Sequence, residues 1–167
     1  MNRHKPRKFY HMLPEDRAIW RRFLEYFEDQ FELYIYDHLV GPRYDWGEFE
    51  LPPGVEKLAE RLYALRIDVL AMREGETWVV EVKPLAGLSA LGQVLAYDYY
   101  IRRQEEVTPF VGRMIVTDYV RHYMPQLWAK YGIWVVVLPG DGPPEVSPPG
   151  PEGHGPPPVR IPQQEET

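Results

Sequence analysis

The chain has no cysteine. Disulfides, a thiolate nucleophile and cysteine-ligated zinc are excluded together. Its histidines, His4, His11, His38, His122 and His154, are scattered without the paired spacing of a zinc site. No apolar run approaches the roughly 20 residues that cross a bilayer. The basic start "MNRHKPRKFYHMLPEDR" lacks the apolar stretch of a secretory signal. No membrane partner and a cytoplasmic location are therefore expected. Net positive charge is also lacking: the formal sum is −6, which argues against a surface given over wholly to nucleic acid. There is no internal repeat.

Hydrophobic residues make up 44% of the 167 and charged residues 26%, the composition of one globular domain with a real core. Residues 14–30, "PEDRAIWRRFLEYFEDQ", place Trp20, Phe23, Leu24 and Phe27, then Phe31, at helical spacing behind Pro14. "FELYIYDHLV" reads as a strand, "GPRYDWGEFELPPG" as a turn-rich insertion and "VEKLAERLYA" as a short helix. Strands over 65–72 and 77–83 precede a helix from about Leu88 to Gln104. "GRMIVT" is a strand, "DYVRHYMPQLWAKYG" a helix, and "IWVVVL" a strand covered on both faces. This order predicts an α/β fold, a mixed central sheet flanked by helices.

Ten of the eighteen prolines lie from Pro139 onward, so residues 139–167 read as an extended proline-rich tail. The expected organisation is a basic arm over 1–13, a domain over 14–138 and that tail. Basic residues gather at Arg3, Lys5, Arg7 and Lys8, at Arg21–Arg22, at Arg102–Arg103, and at Arg113 with Arg121. Each group is either a solvated face or a phosphate contact.

The stretch "RIDVLAMREGETWVVEVKP" sets Asp68, Glu81 and Lys83 in strands that otherwise read as core. Burying such charges unpaired costs several kcal/mol. Glu74-Gly75 suits a two-residue hairpin turn. Arg73 then faces Glu76, and stepping outward brings Asp68 opposite Glu81, with β-carbons ~5 Å apart. Lys83 shares that face by alternation, while Ile67, Val69, Val80 and Val82 take the other. Two carboxylates and an ammonium on one patch suit a hard divalent cation, magnesium being held by one or two carboxylates plus waters. A solvated Asp–Lys–Glu ion triad would use the same residues.

On the following helix, Leu88, Leu91, Val94 and Leu95 form an apolar side. Gln93, Tyr97, Tyr100 and Gln104 form a separate polar-aromatic stripe. Such a stripe either contacts phosphates and bases or is an ordinary wet face.

Asp68, twelve residues, then Glu81-Val82-Lys83 resembles the signature of the PD-(D/E)XK nuclease superfamily. Gln93-Val-Leu-Ala-Tyr97 resembles the QxxxY element of its RecB-like branch. The element order over about 14–138 is similar to that superfamily's restriction-endonuclease-like αβββαβ core. The resemblance implies a deoxyribonuclease dependent on Mg²⁺ or Mn²⁺, with DNA as its partner. By it, Asp68, Glu81 and the Val82 carbonyl ligate the metal, Lys83 assists the attacking water, and Gln93 and Tyr97 support the site. The chain departs from the pattern at Ile67, where the signature has proline, and it lacks a convincing upstream histidine. An acid on the first helix often substitutes, and Glu28 is the expected one, since Glu25 points further from the apolar face. The run "EVKPLAGLSALGQ" is similar to one in phage proteins. That leaves open a structural, virion-associated or homo-oligomeric role on the same fold, with a silent site and the proline-rich tail as the partner-binding element. Glycoside hydrolysis by the two acids is the third reading, with no sugar-binding feature to favour it.

Overall fold

The computed structural model describes residues 12–41, 52, 54–104, 110–140 and 142–147. The basic arm through residue 11, nearly all of the 41–54 insertion and the tail beyond Ser147 lie outside the described residues, as does the Gln104 side chain.

Helix α1 spans Pro14–Phe27, with Pro14 in the first turn, where its missing N–H costs nothing. Ile19, Trp20, Phe23, Leu24 and Phe27 are buried along one face, and Trp20 stacks on Phe23 at 4.6 Å. A 3₁₀ turn at Glu28–Gln30 leads into β1, Leu33–Val40. Then follow α2 (Val55–Tyr63), β2 (Leu65–Arg73), β3 (Glu76–Ala86), α3 (Leu88–Gln104), β4 (Phe110–Val120), α4 (Pro125–Lys130), β5 (Ile133–Val137) and β6 (Glu145–Ser147).

The six strands form one sheet in the order β1-β2-β3-β4-β5-β6. β1, β2 and β3 are an antiparallel meander, β3, β4 and β5 run parallel, and β6 returns antiparallel to β5. The expected mixed sheet flanked by helices is what forms. α1 covers one face, packing with Val69, Ala71, Trp78, Val80, Val82, Met114, Val116, Trp134 and Val136. The other face packs against α3 and α4 through Ile115, Ile133 and Val135, and against α3 again through Ile67, Leu70, Val79 and Val111. The all-apolar β5 thus alternates between two cores. Arg22 ties α1 to the sheet, donating to the Leu138 carbonyl at 2.8 Å and to Asp118 Oδ1 at 2.5 Å. At Gly112 the Trp78 indole lies so close that a Cβ would stand 2.4 Å from its ring.

Two expectations change. The helix read over 118–132 shrinks to α4, because β4 continues to Val120 and the Arg121 N–H is taken by the Ala86 carbonyl at 3.0 Å. Pro125, which has no N–H to donate, opens α4 and cannot continue an earlier helix. The domain also runs past 138: Val136 pairs with Val146 in β6, and Val146 packs against the α1-side core. An edge strand needs backbone partners rather than apolar periodicity, and prolines are tolerated beside it.

Candidate functional site

The turn at Glu74-Gly75 forms as the sequence predicts, with Gly75 at φ 72° and Arg73 paired to Glu76. The β2–β3 ladder runs outward from there to Val69/Val80 and ends one step before Asp68/Glu81. The β1–β2 ladder pairs Tyr36 with Val69 and His38 with Ile67, and omits Asp37/Asp68 between them. Asp37 holds φ 58°, a left-handed conformation uncommon outside glycine but tolerated by aspartate. Asp68 is thus released from both ladders. Its side chain takes a backbone donor instead: the Val82 N–H donates to Asp68 Oδ2 at 2.9 Å.

This release shifts the faces. Val69, Val80 and Val82 pack toward α1 as expected, whereas Ile67 joins the α3-side cluster with Tyr97. The expectation that Ile67 shares a face with Val69 is therefore corrected, because regular alternation breaks at Asp68.

Glu81 points to the α3 side and is 1% exposed. Lys83 Nζ lies 2.6 Å from its Oε1. The Tyr97 hydroxyl donates to its Oε2 at 2.9 Å, Gln93 Nε2 donates to the Tyr97 hydroxyl at 3.2 Å, and Ser89 Oγ donates to Gln93 Oε1 at 3.0 Å. The helical spacing 89, 93, 97 makes this chain possible, since residues four apart share a helix face. Tyr97 is itself 2% exposed. The polar-aromatic stripe expected on α3 is not open at this position: the ring belongs to a core shared with Ile67 and Ile101, and only its hydroxyl serves the site. Leu88, expected on the apolar side, is 60% exposed.

The electrostatics follow from burial. Desolvation first, then the Glu81 charge, push the Asp68 carboxyl up to about 8. The Val82 N–H and Lys83 oppose that rise, and Asp16 adds to it. Burial also raises Glu81, offset in part by Lys83, Tyr97 and a hydrogen bond with the Asp68 carboxyl. Tyr97 is raised by burial and by the charges of Glu81 and Asp68, so its hydroxyl stays a proton donor.

Asp16 is the residue that sequence reasoning missed. It sits in the first turn of α1, three residues after the N-cap Leu13, and accepts from the Leu13 backbone N–H. That is half of a capping box, and it fixes the carboxylate in place. There it feels Lys83 and acts on Asp68. The signal available was an acid at the third helical position behind Pro14. The expected first-helix acid, Glu28, lies twelve residues further along, ~18 Å at 1.5 Å per residue. Its carbonyl accepts from Tyr34 at 3.0 Å, at the far end of the helix. Glu28 as a metal ligand is corrected on that ground. Val82 lies between Glu81 and Lys83 with its side chain buried toward α1.

Among the described residues no three histidine or acidic side chains converge closely enough to enclose an ion by themselves. Magnesium does not require such a cage, because one or two carboxylates with waters suffice. The buried Glu81 carboxylate in contact with the half-buried Asp68, and a third acid nearby, make a set of hard oxygens whose negative charge exceeds that of one lysine. That set fits Mg²⁺ or Mn²⁺ chemically. The chain matches no protein-family model, no curated protein and no solved structure.

Proposed function

We propose that this chain is a divalent-metal-dependent nuclease that hydrolyses phosphodiester bonds in DNA, built like the PD-(D/E)XK enzymes it resembles. One observation carries the reading: Asp68, released from both of its ladders, meets the buried Glu81, and Glu81 is held by Lys83 on one oxygen and Tyr97 on the other. Supporting it are the helix–meander–helix–strand order of α1 to β4 and the Gln93–Tyr97 hydrogen bond on α3.

In this reading Asp68, Glu81 and the Val82 carbonyl hold the cation, with Asp16 near enough to bias it electrostatically. Bound Mg²⁺ would supply charge at the attacking and leaving oxygens of an in-line displacement. Lys83, held beside Glu81, orients the attacking water and offers a proton donor to the phosphate. Tyr97, fixed by Gln93, keeps one Glu81 oxygen in a single orientation. A glycosidase acid would have to reach its substrate, and Glu81 is too deeply buried and too closely paired to Lys83 for that role.

A second reading keeps the fold and silences the site. α2 favours it: Leu58 and Leu62 are 57% and 71% exposed, a face suited to a partner.

The test is incubation of the purified chain with labelled single-stranded, duplex and branched DNA in Mg²⁺, Mn²⁺ or EDTA. Cleavage should require the metal, be lost in Glu81→Gln, which removes a charged ligand, and fall about 10²–10⁴-fold in Lys83→Ala, a span typical of a lost acid–base group. A folded wild type inert on every DNA form with both metals would overturn the nuclease reading.

A further inference from the structure

The β3–β4 ladder continues past Lys83/Thr117 through Leu85/Tyr119 to Ala86/Val120, carrying the sheet beyond the carboxylate group. At that end stands an aromatic and basic surface. Tyr119 is 66% exposed and Tyr123 48%, and Leu85, beside Tyr119 in register, is 42% exposed. The His122 ring meets Tyr123 edge-on at 5.2 Å. Arg121 is exposed. None of these side chains joins a buried cluster, yet their neighbours Val120 and Met124 do. The Arg121 N–H is held by the Ala86 carbonyl, and the Met124 N–H by the Arg121 carbonyl. The rings therefore stand outward on backbone that is anchored at both sides.

Exposed aromatics on a rigid base, with a guanidinium among them, are the elements that bind single-stranded nucleic acid. Each ring offers a face to an unpaired base, and the cation meets the phosphates. A base inside a duplex has both faces covered by its neighbours and cannot use them. Tyr119 lies two residues beyond Thr117, the register partner of Lys83, about 7 Å of strand. The surface therefore adjoins the Lys83 end of the carboxylate group along the same pair of strands.

We propose that Tyr119 and Tyr123, with Arg121, form a stacking platform for unpaired bases of single-stranded DNA whose backbone leads into the Asp68–Glu81–Lys83 site. The proposal rests on the nuclease reading and gives its substrate an unpaired flank.

The experiment measures binding of fluorescent oligodeoxythymidylate, and of a duplex of equal length, to the full chain in EDTA, where cleavage cannot interfere. Tyr119→Ala and Tyr123→Ala should each weaken single-strand affinity about tenfold or more, the effect expected for loss of one stacked base. Duplex affinity should change little, and the phenylalanine variants should bind like wild type. Thermal unfolding of each variant verifies the fold, which these exposed side chains do not support. Unchanged single-strand affinity in the double alanine variant, or equal losses on single strand and duplex, would overturn the platform while leaving any wild-type cleavage intact. Selective loss of single-strand binding from a chain that cleaves nothing would uphold the platform and sink the nuclease reading. A wild type that binds no oligonucleotide at all overturns the platform.

Discussion

Replacing Asp68 by asparagine should stabilise the metal-free protein, increasingly so as the pH rises. The carboxyl titrates near its ordinary 3.8 when unfolded and near 8 when folded, pushed up first by burial and then by Glu81. Between these values the native state holds a proton that the unfolded chain has lost. More protons bound to the native state means stability that falls with rising pH. At about 1.4 kcal/mol per pH unit, the span gives an upper bound of about 5 kcal/mol lost between pH 4 and 8. Asparagine cannot ionise, and its side-chain oxygen still accepts from the Val82 N–H. The groups facing the position, Asp16 on α1, Glu81 and Lys83 on β3 and Tyr97 on α3, are the same in both proteins. The advantage of Asp68→Asn should be near zero at pH 4 and reach a few kcal/mol at pH 8. For a chain of this size that is a Tm gap of roughly 5–15 °C. Differential scanning fluorimetry across pH 4–8 in EDTA measures it. Adding Mg²⁺ at pH 8 should then raise the wild type, by about 2.7 kcal/mol at a hundredfold excess over Kd, and leave the variant nearly unmoved. A gap that is absent at pH 8, or identical at every pH, would refute the electrostatic account of the site.

Three further outcomes are expected. Tyr97→Phe removes the hydroxyl between Gln93 and Glu81 while keeping the buried ring, so denaturant titration should show a loss of about 1–2 kcal/mol, and Mn²⁺ calorimetry about tenfold weaker binding. Gly112→Ala drives a methyl into the Trp78 indole and should destabilise by about 1–3 kcal/mol, seen as a lower urea midpoint at unchanged m. Truncation after Leu138 removes β6 and the Val146 contact, so its urea midpoint should fall by the equivalent of about 1–3 kcal/mol, whereas truncation after Ser147 retains that strand and should keep the midpoint higher.

Much of the fold was legible because its signals are local. A glycine in the turn set the β2–β3 register, helical spacing marked Trp20, Phe23, Leu24 and Phe27 as buried, and the apolar run of β5 announced a strand covered twice. The features that were not legible depend on contacts distant in sequence. Alternation placed Ile67 beside Val69 and had no means to register that both ladders let go at Asp68. Helical spacing separated Tyr97 from the core, but α3 lies against two clusters, and Tyr97 belongs to the second of them. The apolar face of α1 singles out Glu28 as its acid, whereas the site meets the beginning of α1, where Asp16 is fixed by a cap. Strand β6 was hidden by proline-rich composition, since its stability comes from β5 rather than from its own sequence.

The charges in the core strands thus divide into two kinds. Glu81 is paired: Lys83 and Tyr97 satisfy its oxygens, and its burial is offset in part. Asp68 is different, because its backbone donor, the Val82 N–H, must compete with desolvation and with two neighbouring acids. A hydrophobic residue there would serve the core better, and buried charge is weak evidence of a stabilising role. Around this unfavourable group the surrounding elements are nonetheless rigid. Asp16 is capped onto α1, Glu81 and Lys83 lie on the β3 strand beside β4, and Gln93 and Tyr97 project from one face of α3. Helices and strands hold reactive groups more accurately than loops do. Local instability kept within a rigid frame is what a binding or catalytic centre requires, and in the proposed reading a bound cation would offset the cost of ionising Asp68.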